Sequence, residues 1–287
     1  MAVKNSKGFK YLLAIIVVVA ISVINIGHPA ALHSSFINYF GVEMTNDEYL
    51  TLLNLGFTAD EIYYMTEETF EENKDLDATL VASNMKYYKT VVPMYGMNYT
   101  VEVTPQEYFN QGNAQTLGNL FTYYREEIST IAQNGTKYRY KLTTSWLNWP
   151  PVASYDVMAI GFINSVYISS STVFFSYTYS DSSGQYTTST VYYDKKKTSL
   201  GGSVVYKMPS NVTSLTSQIY FDVMKNTTDT LTSITMCGDY AHAETTVTPT
   251  QAANHQINSG GINFDLSVIS YFDNIPCCYA SVYNISW

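Results

Sequence analysis

The chain has 287 residues, with 24 acidic side chains against 15 basic ones and a net charge of −9. That balance repels phosphate backbones and argues against nucleic acid as a partner. The 27 tyrosines suit pleated, half-exposed surfaces, so the composition points to a mainly β protein rather than a helical one.

Lys4, Lys7 and Lys10 precede residues 11–24, which are apolar except for Ser22. A charged stretch followed by a short apolar one is the layout of a secretory signal. The run falls short of the roughly 20 residues of a relaxed membrane span. Ala30 and Ala31 offer only a poor small-residue cleavage site, so residues 1–31 are read as a signal peptide or an N-terminal membrane anchor. In both cases the lysines hold the N-terminus inside and the remainder lies outside. Membrane contact is expected only through this segment.

Residues 45–75 form a small helical module. Thr45 with Glu48, and Thr58 with Glu61, have capping-box spacing ahead of apolar positions; Thr66 can cap a third short helix, and Gly56 stops the first. The phrase LNLGFTADEI resembles a turn of the small ubiquitin-associated domains, but Leu-Gly-Phe is a common helix ending. The module is read as a helical cap or tether on the β-rich remainder of the chain.

Residues 79–287 are expected to form an antiparallel β-sandwich or jelly-roll-like domain. A short helix over 105–110, capped by Thr104, precedes the first hairpin. That hairpin joins 122–132 to 136–146 through Asn134-Gly135, the strongest short hairpin signal, although Leu117, Leu120, Phe121 and Tyr124 also fit a helical stripe. In 136–146 the odd-even alternation is clean. Tyr138, Tyr140, Leu142, Thr144 and Trp146 share one face; Lys137, Arg139, Lys141 and Ser145 share the other. Further strands are expected over 154–162, 166–179, 186–193, 218–224, 232–238, 241–248 and 278–287, with turns at 181–184, 201–202, 226–229 and 259–261. Lys195, Lys196 and Lys197 are expected at a hairpin tip.

The stretches TNDEYLTLLNLGFTADEIYYMTEETFEEN, KYRYKLTTSWLNWPPVASYDVMAIGF, CGDYAHAETTV and SYFDNIP resemble a set of uncharacterised secreted proteins of Gram-positive bacteria, over most of residues 45–275. The resemblance implies an extracellular address and no activity. The Cys277-Cys278 pair departs from it.

Outside the cell a disulfide is permitted. Cys237 with Cys277 or Cys278 would close a loop of about 40 residues, worth ~3–4 kcal/mol in the chain-entropy model; three reduced thiols are the equal alternative. Asp156 and Asp222 sit inside otherwise apolar strands, and two carboxylates across a cleft are the minimum for glycoside hydrolysis. On a strand, His242 and Glu244 would share a face, where they could ligate a metal or share a proton. A third ligand is missing nearby, so a solvated face is the plainer reading. Trp146 and Trp149 could form a platform for sugar rings, unless Trp146 belongs to the core. No nucleophile, zinc-protease or phosphate-loop motif is present, and none implies a cofactor.

Together these features describe a secreted or surface-tethered, non-enzymatic protein that binds an extracellular ligand or surface partner, a glycan among the candidates. The alternatives are a glycan-acting hydrolase using Asp156, Asp222 or Glu244, and a structural component of an envelope layer or appendage whose strand edges pair between copies.

Overall fold

The structure, a computed structural model, describes residues 35–93, 98–110, 121–163, 166–170, 172–228, 230–273 and 277–285. The expected export segment lies outside the described residues. Among those described, no helix is long and apolar enough to cross a membrane.

The N-terminal module opens with a two-stranded ribbon, β1 (Ser35–Ile37) and β2 (Glu43–Thr45), followed by α1 (Asn46–Asn54), α2 (Ala59–Tyr63) and α3 (Glu67–Asn73). Both expected capping boxes are present, and Thr66 caps α3 by accepting from the Thr69 amide. Each cap satisfies N–H groups that a helix start leaves without partners. Gly56 ends α1 at φ +87°, and a Cβ there would strike the Thr130 side chain; the position needs glycine on both counts.

The remaining strands are β3 (Ala78–Val92), β4 (Tyr99–Val103), β5 (Phe121–Asn134), β6 (Lys137–Trp146), β7 (Tyr155–Ile163), β8 (Val166–Ile168), β9 (Phe174–Asp181), β10 (Tyr186–Ser189), β11 (Asp194–Thr198), β12 (Gly201–Lys207), β13 (Val212–Lys225), β14 (Ser233–Ala241), β15 (His255–Asn258), β16 (Gly261–Phe264) and β17 (Cys278–Tyr283). Two short helices, α4 (Pro105–Phe109) and α5 (Pro249–Ala253), each start on a threonine cap. One sheet runs β10-β9-β13-β6-β5-β3-β4, with β8 also on β13; a second runs β11-β12-β7-β14-β17. Every pairing in both sheets is antiparallel. The fold is therefore mainly β, as expected.

The β5–β6 hairpin forms, with Asn134 opposite Lys137 and Gly135 at φ +58°. The local turn chemistry wins over the helical stripe. Four other expectations need correction. Strand β3 covers 15 residues where no strand is named above, its alternation blurred by a bulge between Leu80 and Ala82. The expected strand 166–179 is two strands, interrupted where the Ser169 amide turns to the Asp222 carbonyl. Strand β14 ends at Ala241, so most of 241–248 is not strand. Lys195–Lys197 lie within β11 rather than at the tip, because Thr198 pairs with Gly201. Their ammonium groups have partners: Lys196 donates to the Ala253 and His255 carbonyls at 2.6 and 2.7 Å, Lys197 to the Ser170 carbonyl, and Lys195 to Thr172 Oγ1.

Four layers result. The two sheets face each other over the main core, to which β6 sends Tyr138, Tyr140, Leu142 and Trp146, β13 sends Ile219, Phe221 and Val223, and the second sheet sends Met158, Ile160, Tyr206, Met236 and Tyr240. Gly238 lets the sheets approach, since a Cβ there would meet Ser129 and Leu142. The outer face of the second sheet packs Val157, Val205 and Ala241 against Ala252 and Phe272. The outer face of the first sheet is covered by the helical module, whose Leu52, Leu55, Phe57, Ile62 and Met65 form one core with Tyr220.

That last contact buries charge. Lys141 is 1% exposed, and its Nζ meets Glu61 Oε1 and Oε2 at 2.7 and 2.8 Å, under the ring of Phe57. Burial lowers the pKa of the lysine, against the pull of Glu61. One register step away in the same face, Arg139 Nε donates to Asp222 at 2.9 Å, and its Nη1 donates to Asn73. Removing one partner of such a pair leaves an uncompensated buried charge. Glu61→Leu or Lys141→Met alone is therefore expected to lower the unfolding free energy in urea by about 3–5 kcal/mol, and the double variant to recover most of the loss. Single variants as stable as the parent would contradict a buried pair.

Candidate functional site

Strand register decides which of the sequence candidates meet. Asp156 sits on β7 opposite Tyr206 of β12, on the face that points into the main core, and is fully buried. It accepts hydrogen bonds from the Ala243 amide at 3.0 Å, from the Tyr240 hydroxyl, and from His242 Nδ1 at 3.1 Å. Asp222 lies in the other sheet, on the outer face, held by Arg139. The two aspartates therefore face different layers and cannot flank one glycosidic bond.

His242 is equally buried; the rings of Trp146 and Tyr123 stand edge-on to its imidazole at centroid distances of 5.0 and 5.9 Å, and among the described residues its Nε2 has no hydrogen-bond partner. Its side-chain partner is Asp156, not Glu244. Glu244 is half-buried, and burial raises its pKa to about 7, with Asp273 adding to the rise and His242 opposing it. Among the described residues no group of three or more His, Cys, Asp or Glu side chains is placed to hold a metal ion. Trp146 is 5% exposed and packs in the core between Tyr123 and Tyr240; Trp149 is partly buried against the same core. The tryptophan pair presents no open platform for a sugar.

Two arrangements join residues that no sequence motif connects. Ser203 Oγ lies 2.8 Å from His255 Nε2, and His255 Nδ1 lies 2.9 Å from the Ala252 carbonyl. This has the form of a nucleophile and base, but Ser203 is fully buried, so no substrate reaches it. The other is a charge cluster between the sheets. Arg125 is fully buried, bonded to Glu127 at 2.9 Å, to Asp273 and to the Tyr240 carbonyl, with Tyr88, Trp146 and Tyr240 rings around its guanidinium. One cation thus serves several carboxylates. Burial pushes Glu127 up to about 8, against Arg125, and Asp239 up to about 7.

Cys237 is bonded to Cys277, with the Cα atoms 5.7 Å apart. The register explains the choice: Cys278 enters β17 opposite Gly238 and turns its thiol into the interior, where burial raises it to about 11.

The surface offers a different kind of site. Asn38 is buried and anchors a tight loop: its Nδ2 donates to the Ile62 and Met65 carbonyls, and its Oδ1 accepts from the Phe40 and Val42 amides. The loop holds Tyr39 and Phe40, about 40% exposed, beside Tyr63, which is 45% exposed. Tyr39 packs on Tyr64 and Tyr186 at 5.4 Å each, and Tyr64 stacks on Tyr186 at 4.0 Å. The Tyr186 amide donates to the Tyr39 hydroxyl, and Thr188 Oγ1 donates to the Tyr64 carbonyl. Five rings from the module and the sheet edge are thereby fixed into one half-open aromatic surface. Tyrosine loses little conformational freedom on binding and supplies large contact area with a polar tip.

No protein-family model matches this chain, and no curated protein matches it. Among solved structures it is similar to the crystal structure of the collagen binding domain of Erysipelothrix rhusiopathiae surface protein RspB, at 10% identity and a TM-score of 0.30, over 57% of this chain. The match spans 63% of that domain's length. At this TM-score neither its topology nor its ligand carries over.

The Arg125 cluster sets a pH dependence. Glu127, Asp239 and Glu244 have folded-state values of about 8, 7 and 7, above the ordinary carboxylate range. The stability such raised groups contribute is complete below their unfolded values and is lost as pH rises through the folded ones. His255, held down to about 4 by burial, is neutral in both states above its ordinary value and adds no slope there. Urea midpoints are therefore expected to fall between about pH 6.5 and 8.5, and Glu127→Gln to flatten that fall. Midpoints that rise over this window would contradict the arrangement.

Proposed function

We propose that this is an extracellular binding protein that holds its ligand on the aromatic surface of Tyr39, Phe40, Tyr63, Tyr64 and Tyr186. The carrying observation is that contacts within the chain hold these rings together, through Asn38 on one side and the Tyr64–Tyr186 stack on the other. Exposed apolar groupings of this kind mark interaction sites, and a surface already ordered avoids part of the entropy cost of binding. The extracellular placement rests on the lysine-led apolar leader and agrees with the Cys237–Cys277 bond. The hydrolase reading is weaker, because Asp156 is sealed in the core and Asp222 is on another face.

The purified protein is expected to be retained by at least one member of a panel of neutral glycans and matrix polypeptides. Tyr63→Ala with Tyr186→Ala is expected to weaken that retention about tenfold or more, two ring contacts being lost, with the melting temperature little changed. Retention indifferent to both substitutions would refute the assignment.

A further inference from the structure

The charge of this protein is distributed unevenly. Residues 35–77 carry eleven acidic side chains and a single basic one, Lys74, for a net −10. Residues 78–287 carry 13 acidic against 11 basic, a net −2, and Lys4, Lys7 and Lys10 bring the chain total to −9. Nearly all the net negative charge of residues 35–287 thus resides in the segment that presents Tyr39, Phe40, Tyr63 and Tyr64.

That segment also holds an open hollow of about 300 Å³, lined by Phe36, Asn46, Tyr49, Ala59 and Tyr63. Phe36 and Tyr49 meet edge to face at 5.3 Å and form one wall. Tyr63 forms another and is shared with the aromatic surface, through its contacts with Tyr39 and Tyr64. Asp60, exposed at the start of α2, directly follows Ala59 of the hollow's lining, and its charge adds to the rise that burial causes at the Tyr49 and Tyr64 phenols. A carboxylate therefore stands near the hollow and near the stacked rings.

Ring faces carry negative charge density and attract ammonium and guanidinium groups. A surface of one sign raises the local concentration of the opposite one and repels its own. Anionic ligands, among them phosphorylated or sulfated ones, are disfavoured here, and a neutral ligand would gain only from stacking. The hollow is at the small end for ligand sites and suits a single long side chain. The rings continue beyond it to Tyr186, farther than one small cation can cover.

We propose that the hollow between Phe36, Tyr49 and Tyr63 takes a lysine or arginine side chain of a basic polypeptide segment, whose neighbouring residues lie along Tyr39, Tyr64 and Tyr186. This rests on the reading of the aromatic surface as the binding site and names the partner class for it. Asp60 supplies the counter-charge, and the exposed carboxylates of the module, which exclude Glu61 in its buried pair with Lys141, steer the approach.

The test uses the full chain and fluorescence anisotropy with a short dye-labelled Lys/Arg-rich peptide. A Gln-substituted peptide of equal length, a neutral oligosaccharide and phosphatidylcholine vesicles serve as the other arms. The basic peptide is expected to bind and the Gln peptide not to, with affinity falling as salt is raised. Tyr63→Ala and Asp60→Asn are each expected to weaken binding about three- to fivefold. Tyr63→Phe, which keeps the ring, retains it, and Glu102→Gln, which removes an equal charge from β4, leaves it unchanged. Equal binding of the basic and Gln peptides, or indifference to Tyr63→Ala, overturns the proposal. Tyr63-dependent binding of the oligosaccharide or the vesicles without the peptide leaves the aromatic surface as the binding site and overturns the partner class. No response of any probe to Tyr63→Ala overturns both.

Discussion

A lysine ammonium enclosed between a β-sheet and a helical cap persists only when a carboxylate meets it there. Lys141 and Glu61 satisfy that requirement, and the position of the module follows from it. Desolvating each ion costs several kcal/mol, so the pair specifies one docking geometry more than it adds stability. The apolar contacts of Phe57, Ile62 and Tyr220 supply the attraction; the ion pair, with Arg139 and Asn73 beside it, fixes the register in which they meet. The tyrosine surface depends on this register, because Tyr39, Tyr63 and Tyr64 come from the module while Tyr186 comes from the edge of the sheet.

The interior polar groups have a different role. Arg125 with Glu127 and Asp273, and Asp156 with Tyr240 and His242, hold the two sheets to each other and to the chain after β14. Their burial removes them from any encounter with a substrate. Groups that would suggest catalysis if they lined a cleft are here buried links between layers.

Much of the architecture is legible in local sequence. The Thr-to-Glu spacings at 45/48 and 58/61 mark helix starts because a cap involves residues three apart, and Asn134-Gly135 marks a hairpin because the turn is two residues long. The alternation in β6 correctly assigns its two faces. What covers the basic face is not legible: the alternation assigns Arg139 and Lys141 to one face but not what packs on it, and their partners lie 66 and 80 residues away. The same distance problem hides the site. Asp156 and His242 are 86 residues apart, and Tyr39 and Tyr186 are 147 apart. The excess of tyrosine is visible in composition, but only the docking of the module onto the sheet shows which of the 27 rings form one surface.

Whether the module and the sheet behave as one body can be measured by native-state hydrogen exchange. If the buried pair locks them, the amides of α1, α2 and α3 open with a free energy equal to that of β6 and β13, and Lys141→Met lowers the protection of all of them together. Helical amides that exchange at their own, lower free energy, unaffected by Lys141→Met, would show a module loosely tethered to the sheet and a tyrosine surface that is not assembled in advance.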